Sequence, residues 1–160
     1  MKERIVKVAD LAVESGEARL VTLGLGSCVA CVLFDPLAQA GGLAHVLLPS
    51  PTLARDRSNP AKFPETAVPL LVEKLVALGA SPGRLSARLV GGASMFANIA
   101  TPGMAQMGER NILAMREALK SARIPITAED TGRDYGRSVY LHLPSGKLEV
   151  RSVQHGVREL

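Results

Sequence analysis

A chain of 160 residues with 47% hydrophobic and 21% charged residues has the size and composition of one folded domain with its own core. Its net charge of +4 comes from Lys and Arg spread among Asp and Glu, and only 3% of residues are aromatic, which argues against nucleic-acid binding. Two cysteines, no secretory signal and no membrane-length apolar stretch predict free thiols in the cytoplasm and a chain that is not membrane-embedded.

The first half of the chain predicts strands. Apolar and beta-branched runs favour four of them, over residues 4–13, 19–23, 29–34 and 43–48. Turns are predicted where Gly, Pro and small polar residues concentrate, at residues 14–17, at Asp35 and Pro36, and at Gly41 and Gly42. The Pro-rich segment 50–64 that follows predicts an exposed loop of a length that is usually functional or mobile.

The second half adds two helices and four more strands. The first helix has Thr66 as its cap, Pro69 in its first turn and Gly79 at its end, and the second follows Asn111. The further strands cover residues 85–89, 124–128, 138–143 and 148–153. Residues 144–147 join the last two as an antiparallel hairpin, so we expect one α/β domain over residues 1–160 with substantial antiparallel content.

A cysteine and a histidine in the first half suggest a thiol nucleophile with its base. Cys28 follows the flexible sequence Gly-Leu-Gly-Ser, and His45 lies in the next apolar run. A free thiol with a pKa of about 8.5 is mostly protonated near neutral pH, so a nucleophilic cysteine needs a group that takes its proton. If the two strands pair as their short connection suggests, Cys28 and His45 meet on a shared face.

Neighbouring residues can complete this site. Thr22, on the preceding strand, offers a hydroxyl that can orient the imidazole ring. Gly24 and Gly26 permit positive φ angles and a close approach of substrate, and the backbone N–H groups around Ser27 and Cys28 can bind an oxyanion. We therefore expect Gly26 and Ser27 to contact the substrate.

The same residues also have ordinary structural explanations, which the local pattern leaves open. A cysteine before an apolar run and a histidine among Leu and Val are usually core residues, and threonine is a good strand residue. Cys31 is predicted to be core, because side chains three apart on a strand point to opposite faces. With two Cys and three His in the chain, no metal site is predicted, and Val29 in place of a third glycine argues against a nucleotide cofactor.

Five segments in a fixed order carry a resemblance over nearly the whole chain: LGLGSCVA, GGLAHVLLP, LVGGASMF, GERN and AEDTGRDYGRSV. They resemble the chemoreceptor glutamine deamidase family, CheD, of bacterial and archaeal chemotaxis. The resemblance implies hydrolysis of particular glutamine side chains on the cytoplasmic helices of methyl-accepting chemotaxis receptors, through a cysteine thioester and with release of ammonia. The family's Cys-His-Thr set falls on Cys28 as nucleophile, His45 as general base and then acid, and Thr22 as orienter.

The resemblance also implies a fold and a second partner. The fold is a layered α-β-β-α sandwich with mixed, largely antiparallel sheets, similar to the catalytic domains of cytotoxic necrotizing factor toxins. The partner is a CheC-type phosphatase of the response regulator, which binds the deamidase as a receptor mimic. Ala44 and Arg133 depart from the family's pattern and leave loop shape and substrate choice open, but not the nucleophile.

Two other functions are compatible with the sequence. One is a binding module for the receptor or the phosphatase without turnover, and the other is a thiol enzyme that hydrolyses receptor methyl esters or small amides. Selectivity for one glutamine must come from surface outside the three site residues. The loop 50–64 and the segment 91–96 are expected to contact a receptor helix, with tight packing against the cysteine strand as the alternative for the second.

Overall fold

The computed structural model describes residues 1–95 and 106–160, which form two five-stranded sheets and two α-helices. The helices are α1 (Pro64–Ala77) and α2 (Met107–Ser121). In chain order the strands are β1 (Lys2–Ile5), β2 (Asp10–Ser15), β3 (Ala18–Leu25), β4 (Val29–Asp35), β5 (Ala40–Val46), β6 (Ser86–Gly91), β7 (Ile126–Thr131), β8 (Arg137–Leu143), β9 (Lys147–Ser152) and β10 (Gly156–Glu159).

Both sheets mix antiparallel and parallel pairs. Sheet A has the strand order β1-β3-β8-β9-β10, and sheet B has the order β2-β5-β4-β6-β7. Among the described strands, β1 with β3 and β6 with β7 are parallel, and the other pairs are antiparallel. The expected α/β fold with mixed, largely antiparallel sheets is confirmed.

Two apolar layers hold the elements together. Alternate side chains of both sheets fill the layer between the sheets, among them Leu20, Ala30, Val32, Leu43, Val139 and Leu141. The opposite face of sheet B packs against α1 and α2 through a second set that includes Val29, Cys31, Leu33, Leu71, Leu89 and Met115. Because side chains alternate along β4, its even-numbered residues face sheet A and its odd-numbered residues face the helices.

The layer order in the described residues is α-β-β, because α1 and α2 both pack on sheet B. The outer face of sheet A carries polar groups, with the guanidinium groups of Arg19 and Arg151 lying 5.5 and 3.9 Å from the centre of the Tyr140 ring. The second helical layer of the expected α-β-β-α sandwich is therefore not found within residues 1–95 and 106–160.

The strand predicted over residues 4–13 is instead two strands in different sheets, β1 and β2. Ala9 lies in the connection with a φ of +58°, and its N–H donates to the carbonyl of His45 at 2.9 Å. Val6, just after β1, is 1% exposed, and its N–H donates to the carbonyl of Val21 at 2.7 Å. The sequence does not indicate the break between β1 and β2, because the connection itself contains a buried apolar residue, Val6.

The turn predicted at Gly41 and Gly42 is wrong, because both glycines lie inside β5. A Cβ atom on Gly41 would lie 3.0 Å from side-chain carbons of Leu141 and Leu143 in sheet A, and one on Gly42 would lie 3.0 Å from Leu71 in α1. The two glycines therefore allow close packing on both faces of a buried strand. The turn falls between β4 and β5, at residues 36–39.

Helix α1 begins earlier than the sequence predicts. Its N-cap is Phe63, whose side chain is fully buried, and Thr66 instead donates its hydroxyl proton to the carbonyl of Pro60 at 2.6 Å. Pro69 consequently lies in the second turn rather than the first. The predicted end of the helix is confirmed, since Gly79 follows the last turn with a φ of +99°.

The C-terminal hairpin is confirmed, because β8 and β9 pair antiparallel on either side of residues 144–146. Strand β10 extends sheet A beyond the last predicted strand. Its four residues are exposed, so they carry no alternation from which a strand is predicted. In the part of the chain that the structure describes, neither helix is long and apolar enough to cross a bilayer.

Candidate active site

The candidate site lies where the chain crosses from sheet A to sheet B. Strand β3 ends at Leu25 in sheet A, β4 begins at Val29 in sheet B, and residues 26–28 connect them. The register of β3 against β8 shifts just after Thr22, and irregularities of this kind redirect a strand next to functional sites. The crossing therefore joins the C-terminal end of β3 in sheet A to the N-terminal end of β4 in sheet B.

Cys28 lies one residue before β4, in the buried layer between the sheets toward which His45 also points. Strands β4 and β5 pair antiparallel with Ala30 opposite His45, so Cys28, two residues before Ala30, is a diagonal neighbour of His45. Such neighbours have Cα atoms about 7–8 Å apart, a separation that a thiol and an imidazole can bridge. Cys28 is 9% exposed and His45 is 1% exposed, so the pair is almost closed to solvent.

Thr22 reaches His45 from sheet A across the space between the sheets. Its Oγ1 lies 2.6 Å from the carbonyl oxygen of Val6 and 2.7 Å from Nδ1 of His45. A hydroxyl has one proton and a carbonyl only accepts, so Thr22 donates to Val6 and accepts from the Nδ1–H of His45. The imidazole proton is thereby held on Nδ1, and Nε2 keeps a free lone pair.

The free nitrogen of His45 is unpaired in the described residues. Nε2 is buried there without a hydrogen-bond partner, which is uncommon because buried polar atoms are generally satisfied. The Cys28 thiol, one residue before the neighbouring strand β4, carries a proton that Nε2 can accept. The arrangement can therefore generate a thiolate at the moment of attack.

Burial keeps both groups neutral. It lowers the pKa of His45 to about 4, and it raises the pKa of the Cys28 thiol above its usual value although the residue's own backbone N–H favours the thiolate. Both shifts disfavour charge, so at neutral pH the pair rests as a thiol and a neutral imidazole rather than as an ion pair. This resting state suits general-base catalysis, in which the proton moves only as the sulfur attacks.

The segment after β6 packs directly on the loop that carries the cysteine. The N–H of Gly92 donates to the carbonyl of Cys28 and the N–H of Ala93 donates to that of Gly26, both at 2.8 Å. A Cβ atom on Gly91, which has a φ of +112°, would lie 2.4 Å from the Cys28 carbonyl oxygen, so a larger residue does not fit. Tight packing against the cysteine strand is thus confirmed for these three residues.

The two segments expected to recognise a receptor helix differ in exposure. In the loop 50–64, residues 55–58 are exposed whereas Phe63 is fully buried, so the loop is exposed only in part. In the second segment Met95 is 48% exposed, and Phe96 lies outside the described residues. Helix recognition by either segment stays a prediction.

Asn111, at the start of α2, was not singled out by the sequence and touches the site's backbone. It is fully buried, and its Nδ2 donates to the carbonyls of Ser27 at 2.9 Å and Leu47 at 3.2 Å. Asn111 stands one helical turn before Met115 and two before Leu119, both buried. A polar residue in the apolar stripe of a helix is the signal that identifies it.

Arg137 is a second buried polar residue that sequence analysis missed. It is 1% exposed, and its guanidinium donates to the carbonyls of Gly91 at 3.1 Å and Gly132 at 2.8 Å, with Asp130 Oδ1 3.1 Å from Nε. It shares the inward face of β8 with Val139. A charged residue at an inward position of a strand is again the signal that identifies it. Arg137 anchors the glycine segment that packs on the cysteine loop.

Cys31 lies in a different, apolar environment. It faces the helices, is fully buried, and its burial raises the thiol pKa to about 12, so its predicted place in the core is confirmed. Within residues 1–95 and 106–160, no group of three or more His, Cys, Asp or Glu side chains is arranged to hold a metal ion.

Among solved structures, the fold is similar to the crystal structure of a Neisseria meningitidis protein of the DUF152 family. The TM-score is 0.51 and the identity 12%, over 84% of this chain and 65% of that one. The chain thus spans about two thirds of that protein's length. At this identity the likeness concerns the fold alone.

Sequence relatives are closer and match along nearly the whole chain. A protein of Caldanaerobacter subterraneus subsp. tengcongensis named probable chemoreceptor glutamine deamidase CheD is 42% identical, over 99% of each chain. One of Pyrococcus horikoshii with the same name is 43% identical, over 98% of this chain and 96% of its own length. The family model described as CheD chemotactic sensory transduction matches residues 47–152. The chain belongs to the CheD family.

Proposed function

We propose that this chain is a protein-glutamine deamidase acting on methyl-accepting chemotaxis receptors, with Cys28 as nucleophile, His45 as general base and Thr22 as the residue that orients His45. The observation that carries the proposal is the His45 ring, whose Nδ1 is hydrogen-bonded to Thr22, while Nε2 is buried without a partner among the described residues in the layer that also holds Cys28. The names of the full-length relatives support a glutamine side chain of a chemoreceptor as the substrate.

The first half of the reaction forms a thioester. Nε2 of His45 accepts the thiol proton as the Cys28 sulfur attacks the side-chain carbonyl carbon of the glutamine. The negative charge that develops on the carbonyl oxygen is stabilised by backbone N–H groups around Ser27 and Cys28. The imidazolium then returns its proton to the amide nitrogen, the carbon–nitrogen bond breaks, and ammonia leaves.

The second half uses the same residues to hydrolyse the thioester. Neutral His45 accepts a proton from a water molecule, whose oxygen attacks the thioester carbon. The Cys28 thiolate then leaves and is protonated by His45, which restores the resting pair and releases a glutamate side chain. Thr22 holds the Nδ1 proton throughout, but as a neutral residue it stabilises the imidazolium less than a carboxylate does.

The surroundings of this chemistry complete the proposal. The chain acts as one deamidase domain over residues 1–160, in the cytoplasm and without a cofactor, on the cytoplasmic helices of the receptor. Gly26 and Ser27 contact the substrate glutamine, and a CheC-type phosphatase is a further partner. The α-β-β-α layering and the similarity to cytotoxic necrotizing factor domains stay predictions for the complete fold.

The test is incubation of a purified receptor cytoplasmic fragment with the wild type, with Cys28→Ala and with His45→Ala. Peptide mass analysis then reads the conversion of Gln to Glu and the loss of methyl esters. We expect the wild type to convert particular glutamines and both variants to convert none, with circular dichroism showing that both are folded.

Each competing function gives a different result in the same assay. Loss of methyl esters without Gln conversion identifies a methylesterase, and stable binding of the fragment without either change identifies a binding module. Undiminished conversion by folded Cys28→Ala removes the thiol from the mechanism.

A further inference from the structure

The loop that carries the nucleophile is fixed by donors from outside it. All three carbonyls of residues 26–28 accept a hydrogen bond: Gly26 from the N–H of Ala93, Cys28 from the N–H of Gly92, and Ser27 from the side chain of Asn111. Two of these donors belong to the main chain and are present whatever the side chain. Among the donors that the structure describes, the one to the Ser27 carbonyl is a side chain, that of Asn111.

The Ser27 carbonyl and the Cys28 N–H belong to one peptide unit. In a planar trans peptide the C=O and N–H bonds point in opposite directions, so a donor that fixes the carbonyl also fixes the direction of the N–H. Burial raises the pKa of the Cys28 thiol, and the Cys28 N–H acts against this by favouring the thiolate. It is also the donor assigned to the developing oxyanion.

We propose that Asn111 is a positioning residue that holds the Ser27–Cys28 peptide so that the Cys28 N–H stays aimed at the reacting atoms. The inference rests on the proposed function for its catalytic consequence, but not for its geometry. Asn111 touches no reacting atom and acts through this peptide.

The second proton of the same amide links the loop to the strand that carries the base. Asn111 Nδ2 also donates to the carbonyl of Leu47, one residue after β5 ends and two after His45. With two carbonyls on one side of the amide, the NH₂ group must face them, so the orientation of the amide is fixed by its partners. One buried side chain thereby sets the spacing between the nucleophile loop and the base strand.

Two variants of similar shape remove these donors. Asn111→Leu replaces the amide by an apolar group, and Asn111→Asp places a carboxylate oxygen against two carbonyl oxygens. Leu119→Ala is the matched control, because it removes buried atoms from the same helix about two turns away without touching the loop. All three are first compared with the wild type by circular dichroism and thermal unfolding.

Two readouts follow, and only one of them needs the proposed activity. The first is kcat and KM for deamidation of the receptor fragment. The second is the rate of Cys28 alkylation by iodoacetamide across pH 7 to 9, read by peptide mass, with Cys28→Ala as the blank. The alkylation rate tests whether the Cys28 N–H is held in place, even if the chain deamidates nothing. Failure of this inference can therefore be distinguished from failure of the proposed function.

In both Asn111 variants we expect kcat to fall about 10-fold or more with KM within about twofold, because the receptor surface is unchanged while oxyanion binding is lost. Alkylation is expected to slow about fivefold or more, since a hydrogen bond to a charged group is lost from the thiolate. Leu119→Ala should keep both quantities within about twofold of the wild type.

Several results overturn the inference. The first is an unchanged kcat in either folded Asn111 variant, and the second is an equal loss of kcat in Leu119→Ala. The third is a rate of Cys28 alkylation in the Asn111 variants that is unchanged or faster, because a loop that is only loosened and more exposed would give that result. If neither Asn111 variant folds, the NMR coupling through the hydrogen bond from the Asn111 side-chain nitrogen to the Ser27 carbonyl carbon decides in the wild type, and its absence overturns the inference.

Discussion

The two ends of strand β4 bury polar groups in opposite ways. At its C-terminal end the Asp35 carboxylate accepts hydrogen bonds from the N–H groups of Leu37, Ala38 and Ser81 and from Arg84. Burial opposes its charge, but Arg84 and these N–H groups lower the pKa of Asp35 to about 2. Both carboxylate oxygens of Asp35 accept hydrogen bonds, and these stabilise its charged form.

At the N-terminal end the buried polar groups are left partly unsatisfied. His45 makes one hydrogen bond, to Thr22, and its other nitrogen has no partner in the described residues. Cys28 has its pKa raised by burial. The difference teaches that the paired carboxylate of Asp35 is held in one charge state, whereas the ring of His45 keeps an atom that can take a proton.

The largest expected effect separates Cys28, just before β4, from Cys31 within it. Cys28→Ala should lower deamidation by at least about 1000-fold with little change in stability, because the nucleophile is lost from a nearly closed site. Cys31→Ala should cost about 1 kcal/mol of unfolding free energy through a small cavity and leave activity within about twofold. The comparison needs activity and urea unfolding of both variants, and equal activity losses in the two would refute it.

The next effect concerns the hydroxyl that orients His45. Thr22→Val keeps the shape of the side chain but removes the acceptor of the Nδ1–H, so we expect a fall of about 10- to 100-fold in kcat. Thr22→Ser keeps the hydroxyl and should retain most of the activity. Full activity in Thr22→Val would remove Thr22 from the site.

A smaller effect appears in the pH dependence of stability. Burial lowers the pKa of His45 from its usual 6.5 to about 4 in the folded chain, so the unfolded chain binds more protons between these values and stability falls as the pH drops from about 6.5 to 4. The shift corresponds to about 3 kcal/mol for this group. Urea unfolding at pH 7 and pH 4.5 should show the loss, and His45→Gln should abolish most of it.

A pH profile that is identical in the wild type and His45→Gln would mean that His45 is not buried as a neutral base.

At the other end of β4, Asp35 behaves in the opposite way. Its lowered pKa adds stability above about pH 4 that is lost only as the pH falls toward 2.

The smallest effect tests the satisfied end of the strand. Arg84→Ala removes one partner of Asp35 but leaves the backbone donors, and Arg84 is partly exposed, so we expect a loss of about 1 kcal/mol in unfolding free energy. Deamidation should stay within about twofold of the wild type, and Arg84→Lys should lose less stability. An activity loss comparable to that of Thr22→Val would show that the two ends of β4 are coupled.

Local sequence patterns predicted most elements, because alternation and helical spacing report which face of an element is buried. They failed where tertiary packing decides. Gly41 and Gly42 are turn residues by composition, yet they lie in a strand because side chains from sheet A and α1 leave no room for a Cβ. The strand over residues 4–13 was divided because β1 and β2 join different sheets, and alternation does not identify the sheet to which a strand belongs.

The candidate site shows the same limit. The pairing of the strands that carry Cys28 and His45 followed from the short connection between them. Thr22 was expected to orient His45, but its position in the opposite sheet was not predicted. No local pattern indicates that β3 and β4 belong to different sheets that separate at residues 26–28. Asn111 and Arg137 were missed although each occupies a core position, since a single polar residue in an apolar pattern was not weighed as a sign of buried hydrogen bonding.

The most direct test of the central claim is the position of the proton on the His45 ring, measured by nitrogen NMR of protein labelled in its histidine side chains. The account predicts a neutral ring at pH 7 with the proton on Nδ1 and a bare Nε2, a state that persists to about pH 5 and is lost in Thr22→Val. A proton on Nε2, or an imidazolium at pH 7, would contradict it, because His45 would then have no free lone pair with which to activate Cys28.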